Sequence, residues 1–198
     1  MIKLITQAVR QTLLWTLVTG MLYPIAITAV AQVAFKRQAD GSLIERDGKV
    51  VGSELLAQQF QGPTYFWPRP SAATYGTGAT GLNAGSGSNL GPTSAQLQTN
   101  VRTNAKALRD AHKLPADAPV PADLVYASAS GLDPHISPES ARFQVARVAA
   151  AHGIGEEKVR ALVEKFVEPP QWGFLGEARV NVLLLNLALD ATDAKKTG

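Results

Sequence analysis

Between Gln11 and Phe35 the chain runs for 25 residues without a charge. Most are apolar, among them Leu13, Leu14, Trp15, Leu17, Val18, Met21, Leu22, Ile25, Ile27, Val30, Val33 and Phe35. At about 1.5 Å of rise per helical residue, such a run crosses a hydrocarbon core of roughly 30 Å. Arg10 brackets it on one side and Lys36-Arg37 on the other. The competing reading is a cleaved secretory signal, with Lys3 and Arg10 as its basic flank and Ala29-Val30-Ala31 as a small-x-small cleavage motif. The apolar run exceeds the ~7–15 residues of a usual signal core and continues past that motif, which favours a permanent anchor. The expected division is a short tail over 1–12, a transmembrane helix over 13–35 and a globular domain over 36–198.

Thr12, Thr16, Gly20, Pro24, Thr28 and Gln32 recur at every fourth position of the span. Residues four apart lie along one slanting ridge of a helix. Small and hydroxyl-bearing residues there admit a second membrane helix, and Gln32 can hydrogen-bond across the contact. Thr16, Gly20, Pro24, Thr28 and Gln32 are therefore the candidate helix-packing residues. The alternative is that the threonines bond back to their own helix and that Pro24 only kinks it.

Past residue 35, 17 Lys and Arg stand against 16 Asp and Glu, so the outer domain is nearly neutral and has no basic patch for nucleic acid. Cysteine is absent, which excludes disulfides and thiolate metal sites. The N-terminal tail is basic without acids, as a cytoplasmic tail is. Lys36, Arg37, Arg46 and Lys49 pull the other way, but long domains translocate largely regardless of such charges. The reading is an N-terminus in the cytoplasm and a domain outside.

Two short runs, Ser42–Glu45 and Lys49–Val51, flank Arg46-Asp47-Gly48 and predict a hairpin. Residues 62–92 form a long irregular stretch rich in Gly, Pro, Ser, Thr and Asn, a length usually tied to function. Helices are expected over 93–112 with Thr93 or Ser94 as cap, over 138–152 with Ser137 as cap, and over 156–166. Residues 124–127 suggest a short strand. The nearly continuous apolar run within 176–190 does not separate helix from strand by period, and its length favours a helix. The fold class is α+β: one N-terminal transmembrane helix, then a small mixed, helix-rich globular domain.

Three segments carry residue types associated with chemistry. In Gly85-Ser86-Gly87-Ser88-Asn89-Leu90-Gly91-Pro92 the glycines can turn backbone N–H groups towards an anion, although neither a P-loop nor a dinucleotide fingerprint is present. In 128–137, Asp133, His135 and Ser137 or Ser130 lie before a helix start. A hydrolase would use a serine nucleophile, His135 as base and Asp133 as orienter. The favoured alternative is that Asp133 and Ser137 make turn and capping bonds. Ser86, Gly87, Ser88, Asn89, Asp133, His135 and Ser137 are the candidate nucleotide or partner contacts. In Tyr65-Phe66-Trp67-Pro68-Arg69-Pro70-Ser71, the candidates for partner docking are Tyr65, Phe66 and Arg69, with Arg69 stacking on a ring or meeting a carboxylate. The rings can equally pin the loop to the domain. The helices over 141–153 and 156–166 form a packed hairpin rather than a DNA-binding pair, since Glu156 and Glu157 would repel phosphates. The three histidines, His112, His135 and His152, are far apart in sequence, so no metal site is expected.

Leu22-Tyr23-Pro24, Ala31-Gln32, Phe35, Gly52-Ser53, Tyr65-Phe66, Arg69 to Ala72, Ser86 to Pro92, Asp123 to Val125, Ser130 to Ser137 and Gly173 to Leu189 follow one another along nearly the whole chain. In this order they resemble the C subunit of Kdp-type potassium-transporting ATPases. Departures are Met21, Ala29 and the stretch from Ala84 to Ser88. The resemblance implies a single-pass subunit of the cell inner membrane, belonging to a potassium-import complex with a channel-like subunit and a P-type ATPase subunit. It also implies a catalytic-chaperone role that raises the ATPase subunit's affinity for ATP. No cofactor follows from the chain's own motifs. ATP is implied by the family, and it is cytoplasmic while the bulky domain is expected outside, so it would be reached only through the ATPase subunit. The expectation is a non-catalytic accessory subunit that assembles and stabilises the complex, with no catalytic residues and no metal of its own. The alternatives are a membrane-anchored serine hydrolase and an anchored domain acting alone.

Overall fold

The computed structural model describes residues 1–46, 48–72 and 85–194, without the side chains of 193 and 194. Asp47 of the expected hairpin turn and residues 73–84 of the long loop lie outside the described residues. The chain divides into two compact units, Met1–Ser53 and Glu54–Gly198.

In the first unit, helices α1 (Ile2–Leu17) and α2 (Tyr23–Ala34) are joined through one π turn, Val18–Leu22, into a single helix. The 33 residues of Ile2–Ala34 are long and apolar enough to cross a membrane, and none of the span is buried by protein. The helix thus starts well before residue 13. The π turn has a local cause. Pro24 has no N–H to give the carbonyl of Gly20, and its ring would crowd that carbonyl in a regular helix. The chain widens just before it, where the Tyr23 N–H reaches back five residues to the carbonyl of Val18. A one-turn helix α3 (Lys36–Ala39) follows. Strands β1 (Leu43–Arg46) and β2 (Lys49–Ser53) pair antiparallel as the expected hairpin, with a bulge between Ile44 and Glu45.

The second unit holds the core. Helix α4 (Ala95–His112) is capped by Ser94, whose Oγ accepts from the Leu97 N–H at 3.3 Å, and it buries Ala105 and Leu108. Ser137 caps α5 (Pro138–Phe143) by accepting from the Ser140 N–H. The expected helix over 138–152 is interrupted at Gln144, beyond which α6 (Val145–His152) runs to Gly153, left-handed at φ +59°. Helix α7 (Glu156–Lys165) packs against α5, α6 and α8 (Val182–Ala194). Arg142 and Glu164 join α5 to α7 by a two-pronged ion pair at 2.7 and 2.9 Å.

Two expectations need correction. Residues 122–124 form a 3-10 turn rather than part of a strand, because the N–H groups of Val125 and Tyr126 both return to the carbonyl of Ala122. The apolar run expected as one helix is a strand and then a helix. β5 (Arg179–Asn181) is the centre of an antiparallel sheet between β3 (His135–Ile136) and β4 (Val167–Glu168). Asn181 then turns the chain, its Oδ1 accepting from the Leu184 N–H at 3.1 Å at the start of α8. Partners remote in sequence decide strand against helix here. Phe66, Leu108, Leu124, Ile136, Val148, Val163, Val180, Leu185 and Leu189 meet in one buried core.

Candidate functional site

Two buried amides organise the segment 62–72. The Phe66 N–H donates to Asn186 Oδ1 at 2.9 Å, and Asn186 Nδ2 donates back to the Phe66 carbonyl at 3.0 Å. Gln144 does the same for the next residue, at 2.7 Å from the Trp67 N–H and 3.1 Å to its carbonyl. Gln144 is also the residue between α5 and α6. Arg147 completes the arrangement. Its guanidinium donates to the carbonyls of Pro63 and Tyr65 at 2.7 and 3.0 Å and to Gln144 Oε1 at 2.7 Å, and lies 4.2 Å from the centre of the Trp67 ring. Among the described residues no carboxylate faces it, and burial lowers its pKa to about 10. Its Nε points to His112 Nε2 at 3.3 Å, while His112 Nδ1 meets the Leu108 carbonyl at 2.8 Å. Nδ1 thus carries the proton and the ring is neutral.

With the segment held this way, three motifs converge. Arg69 Nη1 donates to Asp133 Oδ2 at 2.9 Å, Ser71 Oγ donates to the Gly131 carbonyl at 2.7 Å, and the Ser128 N–H donates to the Pro70 carbonyl at 2.9 Å. Arg69, Asp123, Asp133, His135, Ser137, Glu177 and Arg179 line a polar cleft of about 330 Å³. The sequence pointed to Arg69, Asp133, His135 and Ser137, and they share this cleft. It missed Asp123, which accepts from the Ser137 N–H at 2.8 Å and from the Ser140 hydroxyl. Its signals were its place just before Leu124-Val125 and its membership of the Asp123–Val125 segment that carries the family resemblance. Burial pushes the Asp133 carboxyl up, but the His135 ring and N–H, and then Arg69, outweigh it and hold the pKa at about 2. The His135 ring nitrogen stands 3.7 Å from Asp133, an ion-pair rather than a hydrogen-bond distance.

No serine meets His135 among the described residues. Ser130 Oγ accepts from the Leu132 N–H at 3.1 Å and pairs with Ser128, while Ser137 Oγ serves its helix cap. The hydrolase geometry is therefore not assembled, and the turn-and-cap reading describes these bonds. Among the described residues no His, Asp and Glu group could hold a metal.

The glycine-rich loop meets the same region from another side. A Cβ on Gly87 would stand 2.6 Å from the Ala129 carbonyl oxygen, and one on Gly85 3.0 Å from that of Ser130. Here glycine permits one backbone to press on another. Ser88 lines a separate small cleft with Ser71 and Asn100, and Ser86 and Asn89 are exposed, Asn89 at φ +51°. Gly87→Ala should lower stability by about 1–3 kcal/mol through this clash. Gly91→Ala, with nothing within 4 Å, should stay within about 0.5 kcal/mol, and urea titration of both variants measures the difference.

Phe66, a candidate for docking, has its ring fully buried in the core of this chain. Tyr65 is half-buried, its ring 5.4 Å from that of Phe60. In the first unit, Thr19 and Thr6 bond back to their own helix, at 2.7 and 3.0 Å. The hydroxyls of Thr16 and Thr28 make no such bond, and nothing lies within 4 Å of where a Cβ on Gly20 would stand. Gln32 donates to Asp40 at 3.2 Å.

Acid should weaken the fold in two steps. Burial lowers the His112 pKa, the Leu108 carbonyl opposes this, and the charge of Arg147 adds to it. Below about pH 6.5 the unfolded chain then takes up a proton that the folded one resists, so stability falls with pH. Asp133 is depressed in the folded state, so its contribution is complete above about pH 4 and lost as pH falls to about 2. Denaturant midpoints measured across this range should show both steps, and His112→Gln should flatten the first.

The sequence model of the family described as K+-transporting ATPase, c chain, matches residues 5–191. The chain is similar to the potassium-transporting ATPase KdpC subunit of Methylococcus capsulatus, 53% identical over 194 residues that cover 96% of this chain and 99% of the relative. It is also similar to the subunits of the same name from Polaromonas naphthalenivorans, 56% identical with 89% and 88% covered, and Dechloromonas aromatica, 51% identical with 95% and 97% covered. A match of this extent, over both the span and the domain that carries the cleft, means that the chain belongs to the family of the K+-transporting ATPase c chain.

Proposed function

We propose that this chain is a non-catalytic accessory subunit, held in the inner membrane by its single span with the N-terminus in the cytoplasm. It assembles and stabilises a potassium-import complex of a channel-like subunit and a P-type ATPase subunit, and as catalytic chaperone it raises the ATPase subunit's affinity for ATP. The observation that carries the reading is how the cleft's groups are used. Asp133, Asp123 and Ser137 are all engaged by other groups of the same chain, an arrangement that shapes a surface rather than activating a nucleophile. The span supports it too, since Thr16, Gly20 and Thr28 keep small, unspent positions for a neighbouring helix.

Extraction in mild detergent followed by native mass measurement should find the chain together with both larger subunits. Gly20→Leu should reduce the bound fraction severalfold, since a large side chain holds two helices apart. The purified full-length chain should give no stoichiometric heat with ATP; such heat would contradict ATP acting only through the ATPase subunit. Fluorophosphonate labelling of a serine, lost in His135→Ala, would instead establish the hydrolase.

A further inference from the structure

Between β4 and β5 the chain makes a closed turn. The Gln171 N–H donates to the Leu175 carbonyl and the Leu175 N–H to that of Gln171, both at 2.9 Å, and the Gly173 N–H returns to the Pro170 carbonyl at 3.0 Å. At its tip Trp172 is 85% and Phe174 73% exposed, well above any other large apolar side chain among the described residues of the unit Glu54–Gly198. Trp172 adopts φ +53°, a left-handed conformation that bulky residues rarely take. Backbone strain of this kind persists only where the surroundings impose it, and it gathers at binding sites. The turn holds two aromatic rings in water at an energetic cost, in a fixed geometry.

We propose that Trp172 and Phe174 are the anchor by which this domain docks on a second subunit of the transport complex, entering an apolar pocket with a basic rim. This rests on the assembly role proposed above. A fixed turn favours a shaped protein pocket over a lipid surface, because a fluid interface gains nothing from preorganised rings. Charge agrees. Glu177, two residues beyond the turn, has no ion-pair partner among the described residues, and Glu168, bonded to Arg179 at 2.9 Å, lies on the adjoining strand. Arg179 neutralises Glu168, so the uncompensated charge beside the turn among the described residues is that of Glu177, which suits a basic protein rim and opposes the anionic surface of a bilayer. Tryptophan at the centre of such a patch typically dominates the binding energy.

The test uses the full-length chain expressed with the other subunits. In the Trp172→Ala/Phe174→Ala variant, retention on the purified complex should weaken on the order of tenfold or more. Trp172→Phe/Phe174→Leu should retain it. Independently, p-benzoylphenylalanine placed at 172 should crosslink to a protein subunit on illumination. If the alanine variant is retained like wild type, the docking site is wrong and the assembly role stands. If the crosslinker labels only lipid, the turn inserts in the bilayer instead. If wild type itself is never retained, the assembly role fails and takes this inference with it.

Discussion

Replacing Arg147 with methionine should lower stability by on the order of 4 kcal/mol, the largest effect expected of a single polar substitution in this chain. Methionine keeps much of the apolar stem and removes the guanidinium. The carbonyls of Pro63 and Tyr65 then lose a charged donor, Gln144 Oε1 loses one of its two, and the face of Trp67 loses its cation. Losing the charged donor costs about 1 kcal/mol at each part-buried carbonyl and up to about 3 kcal/mol at the buried Gln144 Oε1, and the ring contact adds roughly 1 kcal/mol. Relief from burying a charge offsets part of this, as the lowered pKa of Arg147 indicates. Arg147→Lys separates charge from geometry. An ammonium cannot fork to two carbonyls and an amide in one plane, so lysine should recover less than half of the loss. Urea unfolding of the full-length protein in detergent measures both.

Asn186→Leu is the second large effect, at about 3 kcal/mol. Leucine has the same branched skeleton and the site lies among Leu185 and Leu189, so the change stays apolar among apolar neighbours, with some overpacking from the bulkier methyls. What is lost is the exchange with the Phe66 N–H and carbonyl, both of which stay buried without a partner. Because Gln144 grips the adjacent residue, the double variant with Gln144→Leu should fall short of additive: once one grip is gone the segment is partly free. A denaturant midpoint that is unchanged in Asn186→Leu would mean that the segment is held by its rings alone.

These two amides show where sequence reading stops. Gln144 lies inside a helical pattern and Asn186 inside an apolar run, and their partners are 77 and 120 residues away. Nothing local marks an amide that will pair with a distant backbone. The span, the caps at Ser94 and Ser137, the stop at Gly153 and the hairpin were legible because short-range chemistry dictates each of them. The strand Arg179–Asn181 was not, since a buried strand and a buried helix share one apolar pattern. Asn181 was the visible clue, a capping residue inside what read as a continuous helix. At the cleft, the members next to the helix start at Ser137 were legible. Asp123 was not, because its carboxylate matters only once the fold delivers it to that start.

The π turn beside Pro24 has a geometric consequence for the membrane segment. On a regular helix a four-residue step overshoots one revolution by about 40°, so a row such as Thr16, Gly20, Pro24, Thr28 winds away from any straight neighbour. A turn that closes one residue later absorbs part of that overshoot. The upper and lower halves of the row are thereby brought back into phase, and a straight companion helix can follow it through more of the bilayer. Regularising 18–22 as α-helix with every residue kept would instead turn the two halves out of alignment by about 100°.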